Sequence, residues 1–251
     1  MFAEIAAIMW KEWRQLLQRT GGNLLVFTIR IVLSFSFIAL IIPLEVNNGA
    51  IVDYSWNLVW ITMPLAVVFG LVGFSFAGER ETHTLPTLLA SPLSDRALVL
   101  GKIAFPVTYA VFSSLIISLC LLVKANILHG NNGLILYAPE SFYSGIITSF
   151  LLATFIATLG VYRSACAPTI RQAQTSLLLT VAIAVFLPLI LFVATGFLLP
   201  QNIKQNLITS LESLNSFNMT AISLLALACV DLIAIFLVMK WFDRDRLLTV
   251  N

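Results

Sequence analysis

The sequence predicts an all-α integral membrane protein, in which an amphipathic helix at the membrane interface precedes six transmembrane helices. Of its 251 residues, 59% are hydrophobic and only 10% are charged, and the mean hydropathy is +0.97. Soluble domains carry about 25% charged residues, so this composition argues against an ordinary soluble domain. Apolar runs of about 20 residues, the length at which a helix crosses a bilayer, recur along the chain.

Residues 1–22 are predicted to form an interfacial amphipathic helix on the cytoplasmic side. One helical face is apolar: Phe2, Ile5, Met9, Trp13, Leu16 and Leu17. The other face is polar: Glu4, Lys11, Arg14, Gln15, Gln18 and Arg19. A basic face opposite an apolar face with Trp is typical of a helix that lies in a membrane surface, although a helix packed on a soluble partner shows the same pattern. Gly21 and Gly22 then end the helix.

The six predicted spans lie within a transmembrane domain of residues 23–242, and residues 243–251 form a cytoplasmic tail. Their approximate bounds are 24–44, 56–77, 97–123, 143–162, 173–199 and 219–240. Pro188 lies near the middle of the fifth span, where it predicts a kink or a break because proline removes a backbone donor.

Lysine and arginine residues predict the orientation of the spans. If both termini share one side, that side carries eleven of these residues: Lys11, Arg14, Arg19, Arg80, Arg96, Lys102, Arg163, Arg171, Lys240, Arg244 and Arg246. The opposite side carries two, Lys124 and Lys204. Cytoplasmic loops are enriched in positive charge, so both termini are predicted to face the cytoplasm from a multi-pass position in the inner cell membrane.

Two charged residues fall inside predicted spans. Arg30 lies about 9 Å and Asp231 about 13 Å from the cytoplasmic end of its span, at 1.5 Å per residue. Buried charges in a bilayer need partners, so the similar depths predict an Arg30–Asp231 pair. Snorkelling of Arg30 to the headgroups and a hydrogen bond from Asp231 to a neighbouring helix are the alternatives.

The fourth span carries a stripe of small residues at four-residue spacing, which predicts close helix packing without indicating the partner helix. Its members are Gly145, Ser149, Ala153 and Ala157.

Motifs for catalysis, metal binding and ATP binding are missing from the sequence. It contains no GxxxxGK[ST] phosphate loop and no HExxH or GxSxG motif. Cys120, Cys166 and Cys229 lie in or beside apolar runs without metal-ligand spacing. We therefore expect no enzyme activity, no metal and no cofactor in this chain. The net charge of +2 is too small to indicate a nucleic-acid partner.

A polar stretch, residues 78–102, separates the second and third spans and is longer than a turn requires. It contains four blocks: Glu79-Arg80-Glu81, Thr84-Leu85, Leu88-Leu89-Ala90-Ser91-Pro92 and Gly101-Lys102. These resemble the signature of ABC-2-type transporter permeases, the membrane subunits of type V ABC exporters. The sequence departs from that signature where His83 replaces the usual Gly and Pro86 the usual Glu. A proline in a first turn still permits a short helix that ends before Pro92.

The resemblance implies an export permease that works as a pair with a second permease, either the same chain or a related one, and with two separate ATPase subunits, which bind ATP and Mg. It implies that the polar stretch couples the permease to the ATPase. Leu85, Leu88 and Leu89 would then be exposed leucines that bury in an ATPase groove, and the charges at 79–81 would set the register. It also implies that residues 200–218, between the fifth and sixth spans, can dip back into the outer side of the same membrane.

Two other functions fit a small helical membrane protein. One is a substrate-binding membrane component of an importer, and the other is a non-transporting membrane scaffold. The importer would need polar clusters in the outer halves of the spans, which the sequence lacks, and co-purification with a stimulated ATPase would separate a permease from a scaffold. The sequence does not indicate the transported substrate: lipid, glycolipid, drug, peptide and ion all remain open.

Overall fold

The computed structural model describes residues 1–19, 34, 37–38, 41, 46–47, 50–51, 53–129, 135–198 and 216–242. The first predicted span, 24–44, lies outside the described residues apart from four isolated positions. The predicted cytoplasmic tail, 243–251, and most of the predicted re-entrant segment, 200–218, also lie outside them.

Helices make up nearly all of the described structure, which confirms the predicted all-α class there. In chain order they are α1 Phe2–Arg19, α2 Asp53–Val72, α3 Phe76–Glu81, α4 Leu85–Leu89, α5 Asp95–His129, α6 Pro139–Cys166, α7 Ile170–Leu198 and α8 Ser216–Trp241. Before α2, two residues of β1 (Val46–Asn47) pair antiparallel with two of β2 (Ala50–Ile51).

Four segments of the described chain are long and apolar enough to cross a membrane, and they indicate a membrane protein. They are Val59–Glu81, Asp95–Leu128, Pro139–Cys166 and Thr220–Trp241. They coincide with the second, third, fourth and sixth predicted spans. The fifth predicted span falls on α7, which continues past Pro188 as one helix. The passage of α7 through the bilayer, like the total of six spans, stays a prediction.

The ends of α6 follow ordinary helix chemistry. Pro139 opens the helix, where its missing N–H costs nothing, and Glu140 lies in the first turn. Arg163 lies in the last turn, where a positive charge faces the negative end of the helix dipole.

The small-residue stripe of α6 is an internal packing surface. Gly145, Ser149, Ala153 and Ala157 are all buried. A Cβ on Gly145 would stand 2.6 Å from the Trp60 ring of α2, so only glycine permits this approach. Ser149 Oγ donates to Ser114 Oγ of α5 over 3.2 Å. The stripe therefore joins α6 to α2 and α5 within this chain.

Candidate functional site

The candidate site is built around a break in the segment Val59–Glu81, which coincides with the second predicted span. Helix α2 ends at Val72 and α3 begins at Phe76, so residues 73–75 interrupt a segment that is apolar enough to span as one helix. The backbone N–H groups of Phe76 and Ala77 donate to Ser164 Oγ of α6 over 3.0 and 2.9 Å. The buried Ser164 hydroxyl thus supplies the acceptor that the first N–H groups of a helix lack.

Helix α3 ends in a Schellman motif with histidine in the glycine position. The N–H of His83 donates to the carbonyl of Arg80, and the N–H of Thr84 donates to the carbonyl of Glu79. In this motif the first residue beyond the helix cap adopts positive φ, and here that residue is His83, with φ 57°. This geometry gives a physical reason for the glycine that the ABC-2 pattern has at this position, because a side chain in that region is strained.

The predicted short helix before Pro92 is confirmed. Helix α4 begins at Leu85 with Pro86 in its first turn. The N–H of Leu88 donates to the carbonyl of Thr84, and the Ser91 hydroxyl donates to the carbonyl of Leu88. Because its N–H would have no helical partner in a first turn, Pro86 leaves the helix intact.

The leucines of α4 are not the exposed docking residues that the sequence predicts. Leu85 and Leu88 are 3% and 8% exposed and belong to the same buried cluster as Ile8 of α1 and Leu98 of α5. Leu89 is partly buried against that cluster. The leucines are buried in an apolar cluster to which α1, α5, α6 and α7 also contribute, which a five-residue helix cannot reveal by itself. The outer surface of α4 instead presents Pro86, Thr87 and Ala90.

Lys102 lies at the centre of a buried charge network. Its Nζ is 3.0 Å from Glu12 Oε1 of α1 and 3.2 Å from Glu79 Oε1 of α3. The side chains of Lys102 and Glu79 are 1% and 4% exposed. Lys102 also donates to the carbonyl of Ser75, in the break, over 3.1 Å. Lys11 Nζ approaches Glu79 Oε1 to 2.5 Å, so two cations balance two carboxylates.

Gly101 brings α1 against α5 beside this network. A Cβ on Gly101 would lie 2.8 Å from the Cβ of Ile8, so glycine is required for this close approach. One turn further along α5, the Phe105 ring meets Trp13 edge to face with centroids 5.6 Å apart. Sequence reasoning assigns Trp13 to a lipid-facing surface, whereas the structure packs it on the protein.

The N-terminal turn of α1 is fixed to the start of α5 by an exposed polar contact. Glu4 Oε2 accepts hydrogen bonds from the hydroxyl of Ser94 over 2.7 Å and from its N–H over 3.3 Å. These bonds lower the pKa of the Glu4 carboxyl. Away from α5, α1 exposes 85% of Phe2 and 63% of Trp10. Its predicted position in the membrane interface is not tested by these contacts.

Arg80 and Glu81 bind a different part of the chain, the corner between α6 and α7 (residues 165–170, the α6–α7 corner). The Arg80 guanidinium donates to the carbonyls of Ala165 and Ala167. Glu81 Oε1 accepts from the N–H of Ile170 over 2.7 Å, at the start of α7. The three predicted register charges thus have partners within the chain, and Glu79 points to α1 and α5.

Asp231 of α8 is 3% exposed, and neither of its carboxylate oxygens has a hydrogen-bond partner within the described part of the chain. Arg30 lies outside the described residues, so the predicted Arg30–Asp231 pair stays a prediction. Across the described ranges, His, Cys, Asp and Glu side chains form no group of three that could hold a metal ion.

Sequence reasoning missed three parts of this site: Ser164 at the break, Glu12 on Lys102 and Ser94 on Glu4. The sequence does contain a signal for the Glu12–Lys102 pair, because a carboxylate next to Lys11 on α1 and a lysine at the start of an apolar run are complementary charges.

In comparisons with known proteins, the chain matches no family model and no curated protein sequence.

Proposed function

We propose that this chain is the permease subunit of an ABC-2-type exporter, in which two permeases form the translocation pathway and two separate ATPase subunits drive it. The carrying observation is that the two ends of the polar stretch meet. Glu79 and Lys102 pair at 3.2 Å at the ends of two adjacent membrane-spanning segments. The stretch is therefore folded onto both segments and does not hang from them as a loop.

Transport driven by an ATPase requires that force reach the membrane helices. An ATPase outside the bilayer needs a surface that is joined firmly to membrane helices. Helix α4 provides such a surface, because Leu85 and Leu88 anchor it in the core while Pro86, Thr87 and Ala90 face outward. We assign these outward residues, with the exposed His83, to the ATPase contact. ATP and Mg are bound by the ATPase, and this chain has no enzyme activity of its own.

The proposal includes the position and orientation of the chain in the membrane. The chain lies in the inner cell membrane with both termini in the cytoplasm, and α1 lies in the headgroup region. In α1 the Arg14 guanidinium stands 5.4 Å from the centre of the exposed Trp10 ring. A cation over an aromatic ring suits the boundary between headgroups and hydrocarbon, since both groups are amphipathic there.

The test is purification of the tagged chain from its native membrane, followed by measurement of bound ATPase protein and ATP hydrolysis. Thr87→Arg places a bulky charge on the outer surface of α4 and should abolish both signals. Gln172→Arg places the same charge on an exposed position of α7 and serves as the matched control. A wild-type preparation without any ATPase would contradict the proposal, and a Thr87→Arg variant that retains it would move the contact away from α4.

A further inference from the structure

Ser75 occupies the N-cap position of α3, but its own hydroxyl does not cap that helix. An N-cap serine ordinarily accepts a hydrogen bond from the N–H two or three residues further on. Here the N–H groups of Phe76 and Ala77 donate to Ser164 Oγ of α6 instead. Because Ser164 has taken the capping role, the Ser75 hydroxyl is left for another partner.

The Ser75 hydroxyl is buried, and so is one oxygen of Glu79 that resembles it in having no donor. Ser75 and Glu79 are 6% and 3% exposed. Neither Ser75 Oγ nor Glu79 Oε2 has a hydrogen-bond partner among the residues that the structure describes. An ionised carboxylate accepts hydrogen bonds at both oxygens, and a buried polar atom without a partner is destabilising. Both atoms therefore call for a hydrogen-bonding partner.

Ser75 and Glu79 face the same group of α5. Lys102 Nζ donates to the carbonyl of Ser75 over 3.1 Å and lies 3.2 Å from Glu79 Oε1. The two residues are also four positions apart at the start of α3, the spacing at which side chains on a helix are neighbours. The two oxygens are therefore neighbours that no direct bond joins, which is the arrangement that a small bridging molecule fits.

The charges around these oxygens favour a neutral ligand. Glu79 Oε1 lies beside the ammonium groups of Lys11 and Lys102. Glu12 supplies a second carboxylate, also on Lys102, so the charges balance. An added cation would meet two ammonium groups, and an added anion would meet two carboxylates. The ligand must donate to Glu79 Oε2, which only accepts, and share a bond with the Ser75 hydroxyl, which can donate or accept.

We propose that α3 holds one ordered water molecule between Ser75 Oγ and Glu79 Oε2. Water meets both requirements and is the usual partner of buried polar groups that lack a protein partner. It joins the break at residues 73–75 to the Lys102 network by a second route, beside the bond from Lys102 to the Ser75 carbonyl. The site is a property of the folded chain and does not depend on the proposed function.

The site is tested by an experimental structure of the purified full chain at a resolution that shows ordered water. We expect one density peak at about 2.5–3.0 Å from both oxygens. Three results would overturn the proposal: no peak, a direct bond between Ser75 and Glu79, or a protein side chain in that place. A peak surrounded by roughly six oxygens would be a metal ion and would overturn it as well.

A double-mutant cycle tests the bridge in solution. Ser75→Ala and Glu79→Gln each disturb one partner of the water, so the second change should cost less once the first is present. We expect a coupling of about fivefold in the unfolding equilibrium constant, the factor for one neutral hydrogen bond. The matched control pairs Ser75→Ala with Glu81→Gln, because Glu81 is exposed and bonds the N–H of Ile170. The control cycle should be additive, and additivity in the first cycle would overturn the bridge.

If Glu79→Gln fails to fold, the structure of the Ser75→Ala variant decides. The peak should be lost from that variant while the Lys102–Glu79 pair remains in place. A peak that persists without the Ser75 hydroxyl would contradict the assignment of this site.

Discussion

Glu79 and Lys102 occupy opposite ends of the polar stretch 78–102, yet their charged groups stand 3.2 Å apart in a site that water barely reaches. A pair of this kind does not by itself stabilise a protein greatly, because both charges lose their hydration. Its removal is costly, since a partner left behind is a buried charge without compensation. The pair therefore fixes the path of the chain between the segments Val59–Glu81 and Asp95–Leu128.

Glu79→Gln should lower the free energy of unfolding by about 3 kcal/mol, because Lys102 and Lys11 both lose a carboxylate while remaining near each other. Glu81→Gln, two positions along, removes an exposed carboxylate and should cost less than about 1 kcal/mol. Unfolding of the purified chain in detergent, followed by circular dichroism, measures both variants. Equal losses for the two substitutions would show that the buried carboxylate of Glu79 contributes no more to the free energy of unfolding than the exposed carboxylate of Glu81.

His83→Gly should raise the free energy of unfolding by about 1 kcal/mol, because glycine adopts φ 57° without strain and histidine does not. His83→Ala keeps the strain and is the control, with no gain expected. The same unfolding measurement applies. A gain for alanine as large as that for glycine would mean that the imidazole, and not the backbone, is the source of strain.

Two glycines in membrane segments should respond in opposite directions to alanine. Gly145→Ala should cost about 1–3 kcal/mol, because its Cβ would meet the Trp60 ring at 2.6 Å. Gly70→Ala, in α2, should be neutral or stabilise by about 0.5–1 kcal/mol, since nothing lies within 4 Å of that Cβ and alanine favours helix. Thermal unfolding of both variants in the same detergent decides the matter, and a costly Gly70→Ala would contradict the packing described for α2.

Asp231→Asn should destabilise the chain if Arg30 is the partner of Asp231, because the guanidinium would lose its counter-charge inside the membrane. The exchanged pair, Arg30→Asp with Asp231→Arg, should recover part of the loss. A double-mutant cycle on unfolding midpoints measures the coupling between the two sites. Additive effects would favour an Arg30 that reaches the headgroups alone.

Local patterns predicted much of the fold. Helix α1, four of the membrane segments and the small-residue stripe all depend on periodicity or apolar length, which neighbouring residues determine. The short helix α4 also followed from local signals, because Thr84 and Pro92 bound it. The stripe on α6 was correctly assigned to packing, but its partners, Trp60 and Ser114, could not be identified from spacing.

The parts that escaped prediction depend on residues far apart in the chain. The break at residues 73–75 lies inside one apolar run and is satisfied by Ser164, a residue that no local pattern connects with it. Leu85 and Leu88 resemble docking residues in the sequence because the distant residues that share their buried cluster, such as Ile8 and Leu98, cannot be identified from local patterns. Three adjacent charges, 79–81, divide between two sets of partners, and sequence adjacency suggested a shared role.

The order in which Lys102 meets its partners has a consequence for biogenesis. Glu12 and Glu79 both leave the ribosome before Lys102, so the two carboxylates are already present when the segment Asp95–Leu128 is offered to the membrane. If this end of the segment faces the cytoplasm, as we propose, Lys102 pairs with the two carboxylates there and stays at that face while the apolar residues after it insert. We expect the network to act during synthesis as a stop that sets the depth of the segment Asp95–Leu128.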